Sequence, residues 1–303
     1  MQIGLGLDTS GSLDDVADRA AELAATGVRT LWVNQIFGWD ALTLLAVIGR
    51  VVPGVGFGTA VVPVQARHPV ATAAQALTVQ AAIGGRLTLG IGLSHQIVVE
   101  NVFGTAWDRP AQYMEEYLQV LMPLLAGEQV GFQGELVRAT TFGPLEVQGV
   151  PAPRVLVAAL GTRMLGIAGR QAAGTVTWMV GPATLADHIV PTITAAAVTA
   201  GRGSPEIVVH LPVCVTADVE AARERAARTF AVYGTLPSYR AMLDREQAAG
   251  PAEVSMVGDE ETVAAAIAEL AEAGATAFGA VAFGTAAEQE RTHALMAALA
   301  GTR

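Results

Sequence analysis

The sequence predicts an α/β protein built as one (β/α)8 barrel domain over residues 1–303, and three observations predict it. Eight short apolar runs of β-type composition recur along the chain, and Ala-rich segments of helical period separate them. The 303 residues carry 52% apolar content, enough for one large core. Eight strands close a barrel, although the count alone also admits a doubly wound open sheet.

In chain order the runs are 2–7 (QIGLGL), 29–34 (RTLWVN), 55–62 (VGFGTAVV), 86–92 (RLTLGIG), 154–160 (RVLVAAL), 174–180 (GTVTWMV), 206–215 (EIVVHLPVCV) and 276–282 (TAFGAVA). The first helix is predicted over 12–26. Ser12 can accept from a free amide of the first turn while Asp15 reaches back, and Gly27 suits the left-handed stop. The third helix is predicted over 69–82, because Pro69 lacks the amide hydrogen that would be unpaired at a first helical position, and Gly84 and Gly85 follow. Residues 128–153 alternate in β fashion with Gly and Pro punctuation, which predicts a small hairpin inserted before the fifth strand. Segment 231–258, with Tyr233, Gly234, Pro237 and Tyr239, exceeds a plain connection and is expected to build the site or a lid.

Charged residues make up 15% of the chain and the net charge is −10, so the clustered cations that neutralise phosphates are missing and a nucleic-acid partner is excluded. No apolar run approaches the ~18 residues of a membrane span. The opening MQIGLGLDTSGSLDD lacks the pattern of an export signal, so the expected location is cytoplasmic. Cys214 is the single cysteine, which excludes an internal disulfide and a multi-cysteine zinc site, and its apolar surroundings predict a buried, inert thiol. No metal centre is expected.

Barrel sites assemble where strands end. Those ends present Asp8, Asn34, Gln35, Ala60 to Pro63, Ser94, His95, Gly161 to Arg163, Trp178, Phe283 and Gly284. The set holds no carboxylate pair for glycoside hydrolysis, no G-x-S-x-G elbow, no Walker loop and no H-E-x-x-H helix. In GIGLSH (90–95), two glycines either let a planar ligand approach the backbone beside Ser94 and His95 or relieve crowding inside the barrel. In AALGTRML (158–165), a strand passes through Gly161 into a helix, so free amides and Arg163 suit a phosphate; the alternative is an ordinary helix start capped by Thr162. His68, just before Pro69, reads as a capping or structural histidine. Trp32 reads as core, while Trp39 and Trp178 are candidate walls of a substrate pocket.

Taken together, GTAVVPVQARHPVATAAQALTVQAAIGGRLTLGIGLSH (58–95), VLVAALGTRMLGIAGRQAAGTVTWM (155–179) and FAVYGTLPSYRAMLDRE (230–246) resemble the luciferase-like superfamily, especially its actinobacterial F420-dependent oxidoreductases. The resemblance implies a homodimeric TIM barrel with a flavin-like ring over its mouth. It implies a bulge with a non-prolyl cis peptide near Ala60 and Val61, ring or side-chain contacts at Ser94 and His95, and a phosphate turn at Ala159, Gly161, Thr162 and Arg163. Sugar-phosphate dehydrogenases of the superfamily end the second strand with an acid, a catalytic histidine and then a tryptophan; the corresponding residues here are Asn34, Gln35 and Trp39. Without that base, the expectation moves to reduction. Reduced coenzyme F420 would deliver hydride to a small organic C=C or C=N acceptor, Asn34 and Gln35 would position the reactants, and His95, Tyr233 or water would supply the proton. The alternatives are an FMN-dependent monooxygenase and a non-catalytic barrel that binds a flavin or deazaflavin.

Overall fold

The computed structural model describes every residue except Ile36, Gln148, Thr302 and Arg303. Its strands are β1 (Gln2–Gly6), β2 (Thr30–Val33), β3 (Gly56–Thr59), β4 (Val62–Pro63), β5 (Leu87–Gly92), β6 (Gly131–Gln133), β7 (Arg138–Thr140), β8 (Arg154–Ala158), β9 (Gly174–Trp178), β10 (Glu206–Val215), β11 (Met256–Gly258) and β12 (Ala277–Ala282). Parallel pairing runs β1-β2-β3-β5-β8-β9-β10-β12 and returns from β12 to β1, so the sheet closes on itself. Closure decides between the barrel and the open sheet. The short strand β11 pairs with the end of β10, where Val213 faces Met256 on one side and Ala282 on the other.

Alternation along the strands sorts the side chains into two cores. Leu31, Val33, Val155, Val157, Val209 and Leu211 pack outward against the helices. Trp32, Leu156, Val176 and Val208 form a separate cluster inside the barrel. At the strands' N-terminal end, Arg154 donates to both carboxylate oxygens of Glu206, each at 3.0 Å, and to Thr88 Oγ1 at 3.0 Å.

Local signals place the helices as read. Helix Leu13–Ala25 starts at Ser12 with a complete capping box to Asp15, and Gly27 follows at φ 87°. Helix Pro69–Ala82 begins at Pro69, with Gly84 and Gly85 at positive φ beyond its end. The hairpin insertion is the antiparallel pair β6–β7, and the buried Glu116 carboxylate secures it by accepting from the backbone amides of Leu136 and Val137, each at 2.8 Å. His68 caps its helix, with Nδ1 accepting from Val70 N–H, and its Nε2 donates to the Arg138 carbonyl at 2.9 Å, which ties hairpin to barrel. Among the described residues, no helix is long and apolar enough to cross a membrane.

Candidate active site

The predicted third strand is interrupted. β3 ends at Thr59, the Ala60–Val61 peptide is cis, and the chain resumes pairing as β4. Ala60 N–H donates to Val33 O at 2.8 Å, and Val61 O accepts from Gln35 N–H at 3.3 Å, so the bulge is fastened to the end of β2. The Gln35 side chain is engaged elsewhere: its Oε1 accepts from Ala41 N–H at 2.7 Å, at the start of helix Ala41–Val51. Asn34 beside it is exposed. Trp39 is 42% exposed in the same loop, and Asp40 pairs with Arg67 from the loop after β4.

The glycines of GIGLSH answer to crowding. A Cβ at Gly90 would lie 1.9 Å from the Thr59 carbonyl oxygen, and one at Gly92 would meet Val61 at 2.6 Å and Ala158 at 3.2 Å. Ser94 follows at φ 60°, and His95 is the N-cap position of helix Gln96–Asn101.

Six rings from four parts of the chain then meet across the strand ends. His95 lies 5.8 Å from Tyr239, Tyr239 5.1 Å from Tyr233, and Tyr233 5.7 Å from Trp178. Trp178 lies 5.9 Å from Phe230, which lies 5.5 Å from Phe283. Segment 230–246, most of it inside the stretch 231–258 expected to build the site or a lid, therefore spans from β9 and β12 to β5 as a lid. Its far end is held by Glu246, whose carboxylate accepts from Ala183 N–H at 3.2 Å and Thr184 N–H at 2.8 Å. A Cβ at Gly181 would meet that carboxylate at 2.3 Å, which accounts for the glycine.

Burial disfavours charge throughout this wall. It pushes the His95 imidazole below its ordinary value and the Tyr233 and Tyr239 phenols above theirs. At neutral pH, all three are uncharged hydrogen-bonding groups. Among the described residues, the Trp178 indole nitrogen is buried beside Tyr233 without a hydrogen bond of good geometry, and Gln65 Oε1, in the loop after β4, is buried without a partner.

Helix Thr162–Gln171 leaves β8 through Gly161, its N-cap residue. No side chain caps it, so Thr162 does not play that part. Gly161, Thr162 and Arg163 are exposed, whereas Ala159 is buried at 2% exposure and lies in the core instead of on the turn's surface. A Cβ at Gly161 would meet nothing within 4 Å, so the turn is open on that side. From behind, buried His188, on the π-helical turn Leu185–Ile189, donates Nε2–H to the Leu160 carbonyl at 2.8 Å. The sequence reading missed His188 and Glu246, since each matters through a contact with a distant segment, and it missed Gln65, whose burial follows only from the fold. A cavity of about 360 Å3, lined by Leu211, Gln247, Ser255, Met256 and Thr262, holds none of the predicted site residues.

A closed parallel barrel with a bulge, an aromatic wall and an uncapped helix start at the C-terminal ends of its strands is of the (β/α)8 class, whose enzymes carry their sites at that face. The luciferase-like monooxygenase family matches residues 1–277, and the chain belongs to it. It is an oxidoreductase of the luciferase-like superfamily. A Mycobacterium tuberculosis protein described as a coenzyme F420-dependent oxidoreductase is 34% identical over 42% of this chain and 38% of that one. The 5,10-methylenetetrahydromethanopterin reductase of Methanolobus tindarius is 25% identical over 77% of this chain and 70% of that one. Among solved structures, the coenzyme F420 dependent tetrahydromethanopterin reductase from Methanopyrus kandleri superposes with a TM-score of 0.83, covering 98% of this chain and 97% of that one at 19% identity.

Proposed function

We propose that the protein is an F420-dependent reductase that passes hydride to a C=C or C=N bond of a small organic acceptor. One structural observation carries the reading. An uncapped, exposed helix N-terminus with Arg163 stands at the edge of a neutral aromatic mouth, so one ligand can place a phosphate on the first and a planar ring in the second. The mycobacterial relative described as F420-dependent supports the choice of cofactor.

The residues present fit such a group. The amides after Gly161, with Thr162 and Arg163, would hold the phosphate, while the Ala60–Val61 bulge, Ser94 and His95 would border the ring. A bound deazaflavin supplies hydride chemistry without activating oxygen. The chain's own residues supply position and protons. Neutral His95 orients an acceptor by hydrogen bonding, and Tyr233, held protonated by burial, offers its Oη–H at the wall beside Trp178. The lid excludes water over them. Gln35, with its amide oxygen on Ala41, acts through the shape of the loop, and exposed Asn34 and Trp39 are the residues there that can touch substrate. A homodimer belongs to the same proposal, and sedimentation equilibrium tests it; a purely monomeric species overturns it.

Titration with F420 and, separately, FMN, followed by ring fluorescence, tests the cofactor. Tight FMN binding without F420 binding would replace this reading with the family's flavin monooxygenase chemistry. Thr162→Asp is expected to weaken F420 binding ~10-fold through repulsion with the phosphate. Unchanged affinity would place the phosphate elsewhere.

A further inference from the structure

Gln65 sits in a turn pinned at both ends. Val64 N–H donates to the Gly92 carbonyl at 2.9 Å, Arg67 N–H donates to the Val64 carbonyl at 3.3 Å, and the Arg67 guanidinium pairs with Asp40. The side-chain oxygen between these anchors is buried and has no hydrogen-bond donor among the described residues, whereas Glu116 and Gln80 at other loop junctions are paired. A buried acceptor without a protein donor is satisfied by water or by a ligand, and only a ligand makes binding depend on that oxygen. The turn directly follows the Ala60–Val61 bulge and β4, at the same strand ends as His95 and Trp178.

We propose that Gln65 Oε1 is a recognition group for the bound ring, accepting from the pyrimidinedione N–H that oxidised flavin and deazaflavin rings share. This assignment rests on the cofactor reading above and adds a residue to it. It requires only a planar ring with an N–H donor at its edge, so it holds for F420 and FMN alike. It also makes an unusual demand on the free protein: removing the oxygen relieves an unpaired group while weakening binding.

The test is Gln65→Met, close in shape and without hydrogen-bonding atoms. The dissociation constants of F420 and FMN are measured for both proteins by ring fluorescence, and thermal unfolding is measured without cofactor. The expected result is a dissociation constant about tenfold higher for whichever ring the native protein binds, as for loss of one neutral hydrogen bond. The unfolding temperature of the cofactor-free variant stays equal or rises. Affinity within twofold of native, or a fall in unfolding temperature, overturns the assignment; the first would put water on Gln65 and the second a protein partner. If native protein binds neither ring, the cofactor reading falls with it, whereas native binding with an unaffected variant removes Gln65 alone.

Discussion

Inside the barrel, His210 lies edge-on to Trp32 with ring centroids 5.0 Å apart, and its Nε2 finds no hydrogen-bond partner among the described residues. Full burial pushes its pKa down to about 3. An unfolded histidine titrates near 6.5, so between those values the unfolded chain binds a proton that the folded chain refuses. The stability contributed by neutral His210 is therefore whole above pH 6.5 and is lost as pH falls toward 3. At pH 5 the loss is ~2 kcal/mol. Urea unfolding at pH 7 and pH 5 checks this: His210→Gln, uncharged at both, should lose that share of the pH difference whatever its absolute stability. An unchanged difference would assign the acid sensitivity to other groups. Nothing in IVVHLPVCV announced this role, because burial on the inward face follows from register and only closure supplies the Trp32 contact.

Elements were easiest to read where their determinants are local. Ser12, Asp15 and Pro69 act within one helical turn, and the helices they start appear where those residues stand. The lid is different. Its length and tyrosines were visible in the sequence, and so were His95, Trp178 and Phe283 as strand-end residues, but their assembly into one wall depends on the path of segment 230–246. Glu246 fixes that path by taking two amides at the start of the helical segment after β9. Its replacement by Ala should leave those amides unpaired and destabilise the junction by about 1–3 kcal/mol. Faster amide hydrogen exchange confined to 182–184 and 231–246 is the expected signature. Uniformly faster exchange would show that the contact supports the whole barrel instead of the lid.

At the scale of the whole molecule, the barrel interior is organised by what it leaves out. Alternate glycines in QIGLGL and VGFGTAVV weaken a strand taken by itself, and their purpose is invisible until the sheet closes. In the closed sheet two of them, Gly4 and Gly58, together with Gly279 of the last strand, make room for large rings. A Cβ at Gly58 would stand 2.3 Å from Cε3 and Cζ3 of Trp32, one at Gly4 would stand 2.8 Å from its Nε1, and one at Gly279 would stand 2.5 Å from Nε2 of His210. Trp32 and His210 thus occupy volume that branched side chains from several strands fill in other barrels of this type. Gly58→Ala should destabilise by about 1–3 kcal/mol, since the rigid neighbouring strand cannot yield enough. Trp32→Phe alone should also destabilise, through the space the smaller ring leaves. If the two positions share one volume, the losses cannot add, because the added methyl enters part of the vacated space. The double variant is then expected to be more stable than the sum of the singles by more than about 0.5 kcal/mol in a urea-denaturation cycle. Additivity within about 0.3 kcal/mol would mean that the indole moves away from Gly58 without cost, and that the barrel is filled more loosely than these distances show.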